Sequence, residues 1–180
     1  MKFCPHCGSA INIVIPDGDN RERHVCSACD AIHYQNPRII AGCLPVWEDK
    51  VLLCQRAIEP RKGYWTLPAG FMELGETTEQ AALRETAEEA QAIVKAVQLY
   101  AVFNLPHINQ VYVMYRAELL KPEFSSGIES LDTRLLTEEE IPWGDLAFET
   151  MRLSLEYFFQ DRSNGQFQFR STDILRPTPR

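Results

Sequence analysis

Residues 70–92 read GFMELGETTEQAALRETAEEAQA, and this stretch decides how the rest of the chain is interpreted. Glutamates at positions 85, 88 and 89 follow an i, i+3, i+4 spacing, which places their carboxylates on one face of a helix. Crowded carboxylates repel one another unless a cation neutralises them, and ligand sets made only of oxygen suit Mg²⁺ or Mn²⁺. Such an ion can bridge a pyrophosphate and activate a water molecule. The spacing therefore predicts a divalent metal site formed by Glu85, Glu88 and Glu89, the alternative being a solvated acidic helix face.

The same residues resemble the Nudix box, G-x5-E-x7-R-E-U-x-E-E-x-G-U, in which U is an aliphatic residue. The fixed positions that match in register are Gly70, Glu76, Arg84, Glu85, Glu88 and Glu89. Thr86 stands where an aliphatic residue is usual, and Gln91 stands where the second glycine is usual. If residue 91 is left-handed, a glutamine there costs roughly 1 kcal/mol more than a glycine.

The resemblance to Nudix hydrolases implies an α/β (α+β) fold, an α/β/α sandwich with a mixed sheet. It implies that the catalytic Mg²⁺ or Mn²⁺ ions are bound by Glu85, Glu88, Glu89 and the backbone carbonyl of Gly70. It also implies an ion pair between Glu76 and Arg84 that supports the loop against the helix. The implied reaction is hydrolysis of a diphosphate bridge by an activated water molecule.

A carboxylate must accept the proton of the attacking water, and two candidates stay open. Glu85 lies within the box. Glu129 lies in the sequence GIESLDTRLL, just before a predicted strand, where related enzymes with zinc ribbons place a further metal-site glutamate. Asp132 is a weaker candidate, and the alternative for Glu129 is a solvated loop residue.

Cysteines near the N-terminus form two C-x2-C pairs separated by 18 residues: Cys4, Cys7, Cys26 and Cys29. This spacing is typical of a tetrahedral thiolate zinc site. Alternating isoleucines and a Pro-Asp-Gly turn between the pairs predict two short strands. We therefore expect a zinc ribbon over residues 1–36, folded by its structural Zn²⁺, and a hydrolase domain over residues 37–180. Nearby histidines are weaker ligand candidates: His6, His24 and His33.

Periodicity in the larger domain predicts strands at residues 38–47, 51–56, 93–103, 110–120 and 131–136, the first two joined by a hairpin. A helix is expected from Thr77 or Thr78 to about Ala90. Its face away from the metal would pack on the sheet through Ala82, Leu83, Thr86, Ala87 and Ala90. A second helix is expected over residues 147–160, and the tail from residue 165 would add a short strand.

Residues that flank the box are candidates for contacting substrate. Arginines can hold phosphates and aromatic rings can stack on bases. The candidates of these kinds, with one loop histidine, are Phe71, Arg56, Arg61, His107 and Tyr112. Lys62, Tyr64 and Asn109 are further candidates, and each of these residues could instead belong to an ordinary surface. Trp65 is expected in the core.

Two further resemblances bear on the substrate. A ribbon followed by the box resembles NADH pyrophosphatases, but the segment FNLPHINQ lacks the tryptophan and second phenylalanine of their SQPWPF-like signature. The whole chain resembles plant plastid FAD pyrophosphatases and their bacterial relatives, through IPDG, YQNPR, VLLCQR, GYWTLPAGFMELGE, ESLDTRLL, EIPW and LAF. This implies release of AMP from FAD or from ADP-ribose. The alternatives are NADH hydrolysis, removal of NAD caps from RNA, a non-catalytic nucleotide sensor and a nucleic-acid-binding protein.

Composition narrows the class of protein. A net charge of −7 without a lysine-rich run disfavours nucleic acid as the main partner and suits a small-molecule nucleotide substrate. The sequence contains no run of 18 or more apolar residues, so we expect no transmembrane helix. Its N-terminus lacks an apolar signal core, so we do not expect export. Cys43 and Cys54 lie in apolar runs and are expected to be buried. Thiols of this kind fit a reducing cytoplasm, and the family resemblance implies a homodimer.

Overall fold

The computed structural model describes residues 1–175, and the chain divides into two compact units, Met1–Asn36 and the residues from Pro37 onward. Each unit contains its own sheet. Among the described residues, no helix combines the length and the apolar character needed to cross a membrane.

The N-terminal unit is a three-stranded antiparallel sheet in the order β1-β2-β3, with β1 at Ile11–Val14, β2 at Arg23–Cys26 and β3 at Ile32–His33. The two predicted strands are present. Strand β3 was not predicted, because two residues are too few to show an alternating pattern. Each C-x2-C pair forms a tight turn: the Gly8 N–H donates to the Cys4 carbonyl at 2.8 Å, and the Asp30 N–H donates to the Cys26 carbonyl at 2.9 Å.

The larger unit contains a mixed sheet and two α-helices, as predicted, and the sheet has eight strands. Its elements are β4 (Arg38–Trp47), β5 (Lys50–Arg56), β6 (Trp65–Thr66), β7 (Ala69–Phe71), α1 (Thr78–Ala90), β8 (Val94–Leu105), β9 (Gln110–Leu119), β10 (Ser130–Leu136), α2 (Glu149–Asn164) and β11 (Arg170–Asp173). The sheet order is β10-β5-β4-β9-β8-β11, with β6 paired to β5 and β7 paired to β4. Strands β4 and β9 are parallel, as are β8 and β11, while the other pairs are antiparallel.

Alternate side chains of β4 pack with different helices, so the two helices lie on opposite faces of the sheet. Ile40 and Leu44 belong to the core cluster that includes the α2 residue Leu155. Ala41 and Cys43 belong to the cluster that includes Ala81 and Ala82 of α1. Since successive side chains of a strand point to opposite faces, this division establishes the expected α/β/α sandwich.

Small residues let α1 lie close to the sheet, but one was assigned to the wrong face. Ala82 and Ala90 are fully buried, whereas Ala87 is exposed and borders the pocket described below. Thr86 stands where the box usually has an aliphatic residue, and its buried hydroxyl is satisfied because it donates to the Ala82 carbonyl at 2.8 Å. Cys43 is buried as expected.

The boundaries of several elements differ from expectation by a few residues. The hairpin turn consists of residues 48–49, because Lys50 already belongs to β5. Helix α2 begins at Glu149 and continues to Asn164, where the left-handed Gly165 ends it. The strand predicted in the tail is β11. Strands β6 and β7 were not predicted, because two or three residues are too few to show periodicity.

Candidate active site

Both ends of α1, the helix that carries the glutamates of the box, are capped: the first by side chains and the second by the backbone N–H of Gln91. Thr77 accepts a hydrogen bond from the Gln80 N–H at 3.1 Å, and the Gln80 side chain accepts one from the Thr77 N–H at 2.8 Å. At the other end Gln91 is left-handed, with φ 47°, so the conformation that favours glycine is present. Its side-chain carbonyl accepts a hydrogen bond from the Ser125 hydroxyl at 2.7 Å, which links the helix end to the following loop.

The three box carboxylates differ in exposure. The Glu88 side chain is 59% exposed. Glu89 is 8% exposed, and burial, followed by the nearby charge of Glu85, raises its pKa to about 8. Burial likewise raises the pKa of Glu85, and the charges of Glu88 and Glu129 act in the same direction. Burial and the neighbouring negative charges therefore oppose ionisation of Glu85 and Glu89 unless a cation is close.

Arg84 joins the box loop to α1. Its guanidinium lies 2.8 Å from Glu76, 2.7 Å from Glu85 and 3.1 Å from Glu88, and it also donates to the Phe71 carbonyl at 3.1 Å. The structure therefore contains the Glu76–Arg84 pair that the resemblance implied. Arg84 also binds two of the candidate metal ligands, Glu85 and Glu88. The resemblance implied only its pairing with Glu76.

The backbone of β7 lies against the box carboxylates. The Ala69 N–H donates to Glu89 Oε2 at 3.2 Å. Gly70 is so close to Glu85 that a Cβ at residue 70 would overlap the Glu85 carboxyl group. A side chain at residue 70 would therefore displace the Glu85 carboxyl group from this position.

Glu129 is brought to the same site by a loop that docks on the end of α1. The Ser125 N–H donates to the Ala90 carbonyl at 2.9 Å, and the Gly127 N–H donates to the Glu89 carbonyl at 2.9 Å. The Glu129 carbonyl is bound by the Ala57 N–H at 2.8 Å. The Glu129 charge contributes to the raised pKa of both Glu85 and Glu89.

Asp132, the weaker candidate for the proton acceptor, is engaged elsewhere. Its carboxylate lies 2.6 Å from Arg134 and accepts the Thr133 N–H at 2.8 Å. Glu129, in contrast, borders the pocket that contains the box carboxylates. Of the two residues from this segment, the structure places Glu129 where a substrate could contact it.

A pocket of about 1210 Å³ opens beside the box. It is bordered by the candidate ligands and proton acceptors Gly70, Glu85, Glu88, Glu89 and Glu129. The same pocket is bordered by all the leading candidates for substrate contact, namely Arg56, Arg61, Phe71, His107 and Tyr112. The volume exceeds the roughly 300–1,000 Å³ of common small-molecule sites and is large enough for a dinucleotide.

Arginines stack on aromatic rings around this pocket. Arg56 lies over the Phe148 ring at 5.2 Å, and Arg38 lies over the Phe71 ring at 4.9 Å. The Arg56 charge is also close enough to Glu89 to lower the pKa of that carboxyl, against the raising effect of burial. A phosphate near Arg56 would therefore lie next to the acidic site.

The further candidates for substrate contact, Lys62, Tyr64 and Asn109, are not among the residues that border the pocket. Tyr64 stacks with Arg61, at 5.2 Å from ring centre to guanidinium. Asn109 is left-handed, with φ 53°, and its carbonyl accepts the Arg38 N–H at 2.9 Å, so it shapes the loop after β8. Trp65 is buried, as expected.

One wall of the pocket was not predicted from the sequence. It is formed by the start of α2 and its neighbours, Ala147, Phe148, Glu149, Thr150 and Met151. These residues carry no chemical signature, and they lie far from the box along the chain. The LAF landmark at residues 146–148 was the available signal, because its last two residues belong to this wall.

The oxygen donors of the acidic site fit a hard divalent ion. They comprise crowded carboxylates from α1, the neighbouring Glu129 and the backbone of the box glycine, with no thiolate or imidazole among them. Within residues 1–175, however, only one group of three or more His, Cys, Asp or Glu side chains has all its donor atoms within 4.8 Å of one another, and it is the cysteine quartet. In the acidic site Glu85 and Glu88 instead bind the Arg84 guanidinium.

The cysteine quartet fits a zinc ion. The sulfur atoms of Cys4 and Cys29 are 3.7 Å apart, those of Cys7 and Cys26 are 3.5 Å apart, and those of Cys7 and Cys29 are 3.6 Å apart. Tetrahedral Zn–S bonds of about 2.3 Å require sulfur separations of roughly 3.8 Å. His33 Nε2 lies 3.3 Å from the Cys4 sulfur, next to the quartet.

Comparison with known proteins assigns the two parts of the chain to two family models. Residues 2–35 match the "Nudix N-terminal" zinc-ribbon model, and residues 36–168 match the NUDIX domain model. The chain is 32% identical over 149 residues to NAD-capped RNA hydrolase NudC of Vibrio vulnificus (strain CMCP6), which covers 79% of this chain and 53% of that protein. It is 28% identical over 130 residues to an ADP-ribose pyrophosphatase of Methanocaldococcus jannaschii, covering 69% of this chain and 75% of that protein. The chain thus spans about half the length of the NudC relative.

Solved structures extend the similarity to nearly the whole chain. The crystal structure of a NUDIX hydrolase from Nitrosomonas europaea is 53% identical, with a TM-score of 0.95, and the match covers 98% of this chain and 100% of that one. An ADP-ribose pyrophosphatase from Streptococcus suis shares the fold, with a TM-score of 0.60, 20% identity and coverage of 77% and 100%.

Proposed function

Because the chain belongs to the Nudix family, we propose that it hydrolyses the diphosphate bridge of a nucleoside diphosphate derivative, with FAD or ADP-ribose as substrate and AMP as a product. The observation that supports this most directly is the placement of Glu85, Glu89 and Glu129 beside one large pocket. The pocket also contains arginine and aromatic side chains, which suit the phosphates and rings of such a molecule.

The oxygen donors described above fit Mg²⁺ or Mn²⁺, and the residues proposed to hold it are Gly70, Glu85, Glu88 and Glu89. When bound there, such an ion lowers the pKa of water and stabilises charge on phosphoryl oxygens. The protein itself supplies the arrangement of the ligands. Arg84 holds Glu85 on one side, and the Ala69 N–H holds Glu89 on the other.

We assign the proton acceptor to Glu129. Glu85 is already bound to Arg84 at 2.7 Å and is also a proposed metal ligand, so its oxygen atoms are engaged and less free to accept a proton. Glu129 borders the pocket on a loop fixed to both α1 and Ala57. In the proposed reaction, the oxygen of water bonds to one phosphorus, its proton passes to Glu129, and the bridging P–O bond breaks to leave two phosphate monoesters.

NADH hydrolysis and removal of NAD caps from RNA form a second candidate function. It is favoured by the 32% identity to an NAD-capped RNA hydrolase. The net charge of −7 disfavours an RNA substrate, because a phosphate backbone is attracted by basic surfaces. The segment at residues 103–110 also lacks the tryptophan and second phenylalanine of the NADH pyrophosphatase signature, and an aromatic ring there would stack on a nicotinamide or adenine ring. We therefore place FAD and ADP-ribose first.

A hydrolysis panel tests this proposal. The protein is incubated with Mg²⁺ and FAD, ADP-ribose, NADH or an NAD-capped RNA, and the products are resolved by chromatography. We expect AMP from FAD or ADP-ribose, and a loss of at least about 100-fold in Glu89→Gln and Glu129→Gln. Glu79→Gln, an exposed glutamate in the first turn of the same helix, is the matched control. Nucleotide binding without turnover of any substrate would identify a sensor instead.

Three further properties belong to the proposal. The ribbon holds one structural Zn²⁺ through Cys4, Cys7, Cys26 and Cys29, and it contributes to stability or assembly. Thiolate ligands need reducing surroundings, which supports a cytoplasmic location. The homodimer implied by the family resemblance is tested by light scattering coupled to size-exclusion chromatography.

A further inference from the structure

The hydroxyl group of Thr150 is buried without a hydrogen-bond partner. Thr150 is the second residue of α2, is 1% exposed and borders the pocket beside the box. No other atom within residues 1–175 hydrogen-bonds to its hydroxyl oxygen. Buried polar groups in folded proteins are nearly always hydrogen-bonded, so a partner for this one is expected.

Two other buried hydroxyl groups on the helices show how such a group is normally satisfied. Thr86 donates to the Ala82 carbonyl at 2.8 Å, and Ser154 donates to the Thr150 carbonyl at 2.7 Å. Both bonds reach the residue four positions earlier in the same helix. Thr150 cannot do the same, because the residue four positions before it, Leu146, precedes the start of α2.

The start of α2 offers additional donors beside this hydroxyl. Phe148 occupies the N-cap position and provides no side-chain cap. The N–H groups of the first two helical residues, Glu149 and Thr150, have no intrahelical partner, whereas the Met151 N–H donates to the Phe148 carbonyl at 3.0 Å. The free N–H groups carry the positive end of the helix dipole. Thr150 and the first turn therefore present hydrogen-bonding groups along one short edge of the pocket.

Apolar core residues form part of the wall of the same pocket. Ile40, Leu105, Tyr112 and Met151 all border the pocket and all belong to the main core cluster. A phosphate or a bare sugar would lose much hydration against such a wall. A flat heteroaromatic ring is better suited, because its faces are apolar while its edge carries hydrogen-bonding nitrogen and oxygen atoms.

We propose that Thr150 and the first turn of α2 form the subsite that recognises the edge of a heteroaromatic ring of the substrate, an inference that rests on the proposed function. Arg56 connects this subsite to the phosphate end. Its guanidinium lies over Phe148, the residue before α2, and its charge acts on Glu89 of the acidic site. The ring would thus lie on one side of Arg56 and the diphosphate on the other.

The two halves of FAD identify which ring occupies the subsite. Binding of AMP and of FMN to the zinc-loaded, full-length protein is measured by calorimetry in the presence of Mg²⁺. In Thr150→Val, which keeps the shape of the side chain, we expect the Kd of one of the two to rise about 10-fold. Thr150→Ser retains the hydroxyl and should stay within about 2-fold of the wild type. A rise for AMP assigns the subsite to adenine, and a rise for FMN assigns it to flavin.

Stability separates recognition from a structural role. Removing an unsatisfied hydroxyl should leave the Tm of Thr150→Val unchanged or higher. Ser154→Ala, which removes a satisfied hydroxyl one turn further along α2, should lower the Tm and leave both Kd values unchanged. The subsite is wrong if Thr150→Val binds AMP and FMN as the wild type does, or if its weaker binding accompanies a lower Tm. Turnover of the panel by the wild type is a separate result, so failure of the subsite does not resemble failure of the proposed function.

Discussion

The backbone of Gly127 lies directly against the carbonyl oxygen of Glu88, and a Cβ at residue 127 would overlap that oxygen. The Gly127 N–H also donates to the Glu89 carbonyl at 2.9 Å. Only a glycine permits this approach without a movement of the backbone. The contact docks the loop that carries Glu129 onto the helix turn that carries Glu88 and Glu89. The proposed base and the proposed metal ligands are therefore held together by backbone contact.

Replacing Gly127 by alanine should separate these groups. The new Cβ must push the loop away from Glu88, and a displacement of about 1 Å at a catalytic site can lower the rate about 100-fold. We expect kcat of Gly127→Ala to fall by this order, with a smaller change in the KM for the nucleotide. Steady-state kinetics and thermal unfolding are the measurements.

Gly144→Ala is the matched control for that variant. Apart from its own chain neighbours, no atom of the described residues lies within 4 Å of the position that a Cβ at residue 144 would occupy. The substitution therefore adds a methyl group in open space, and its kcat should equal that of the wild type. If Gly127→Ala were equally active, the docking of the loop would not control the position of Glu129.

The hydrogen bond between Ser125 and Gln91 should contribute measurably to stability. Gln91 is left-handed, which costs roughly 1 kcal/mol relative to glycine, but its side chain binds the Ser125 hydroxyl. A hydrogen bond of this kind contributes about 1 kcal/mol, so the two effects nearly cancel. In urea unfolding, Ser125→Ala should lose about 1 kcal/mol, while Gln91→Gly should change little. A clear gain of stability in Gln91→Gly would show that the hydrogen bond contributes nothing.

A buried network joins α2 to β8 and β11 and should make stability depend on acid pH. Asp161 accepts hydrogen bonds from Tyr100 at 2.8 Å and from Arg170 at 2.7 Å. Arg170 is the main cause that lowers the pKa of Asp161 to about 2, from an ordinary value of 3.8. A carboxyl whose pKa is lower in the folded state stabilises the fold above its unfolded pKa. This contribution, about 2 kcal/mol, is fully present above about pH 4 and is lost as the pH falls toward about 2.

The variant Asp161→Asn should lack this contribution. Urea unfolding at neutral pH should show a loss of about 2 kcal/mol, and the difference from the wild type should shrink as the pH falls below about 4. Asp132→Asn is the control, because Asp132 forms a more exposed pair with Arg134 and should lose less than about 1 kcal/mol. A constant difference between the wild type and Asp161→Asn over this pH range would contradict the assignment.

Zinc in the ribbon should depend on the cysteines and not on the adjacent histidine. Cys26→Ser should lose the metal and unfold residues 1–36, since so small a unit depends on bound metal for its folding energy. His33→Ala should retain about one zinc ion per chain, because four thiols already complete a tetrahedral site. Elemental analysis and circular dichroism provide the readouts. Zinc lost from His33→Ala and kept in Cys26→Ser would reverse the ligand assignment.

The sequence was most informative where function needs several residues at fixed spacing. The box and the cysteine pairs each lie within short stretches, so local periodicity and spacing predicted α1 and the thiol quartet. The resemblance to the box indicated Gln91 as the position where the helix could end in a left-handed residue, as it does. Long strands such as β4 and β9 were predicted because their alternation extends over many residues. The predicted α/β/α sandwich is confirmed. That prediction came from the resemblance to Nudix hydrolases, because the order of strands and helices alone indicated only an α/β or α+β fold.

Features created by tertiary approach could not be read from the sequence. The wall at Thr150 arises because the start of α2 meets the pocket, although it lies far from the box in the chain. The role of Gly127 depends on the position of the Glu88 carbonyl, which no local pattern specifies. Ala87 was placed on the wrong face because an alanine suits a packed surface and a pocket rim equally well.

The most direct test of the central claim is the binding of Mn²⁺ to the acidic face of α1, followed by electron paramagnetic resonance. We expect saturable Mn²⁺ binding in the wild type and in Glu79→Gln, and an affinity at least about 10-fold weaker in Glu89→Gln, in parallel with the loss of AMP release. If Glu89→Gln bound Mn²⁺ as tightly as the wild type does, the box carboxylates would not form the metal site and the proposed hydrolysis would lose its basis.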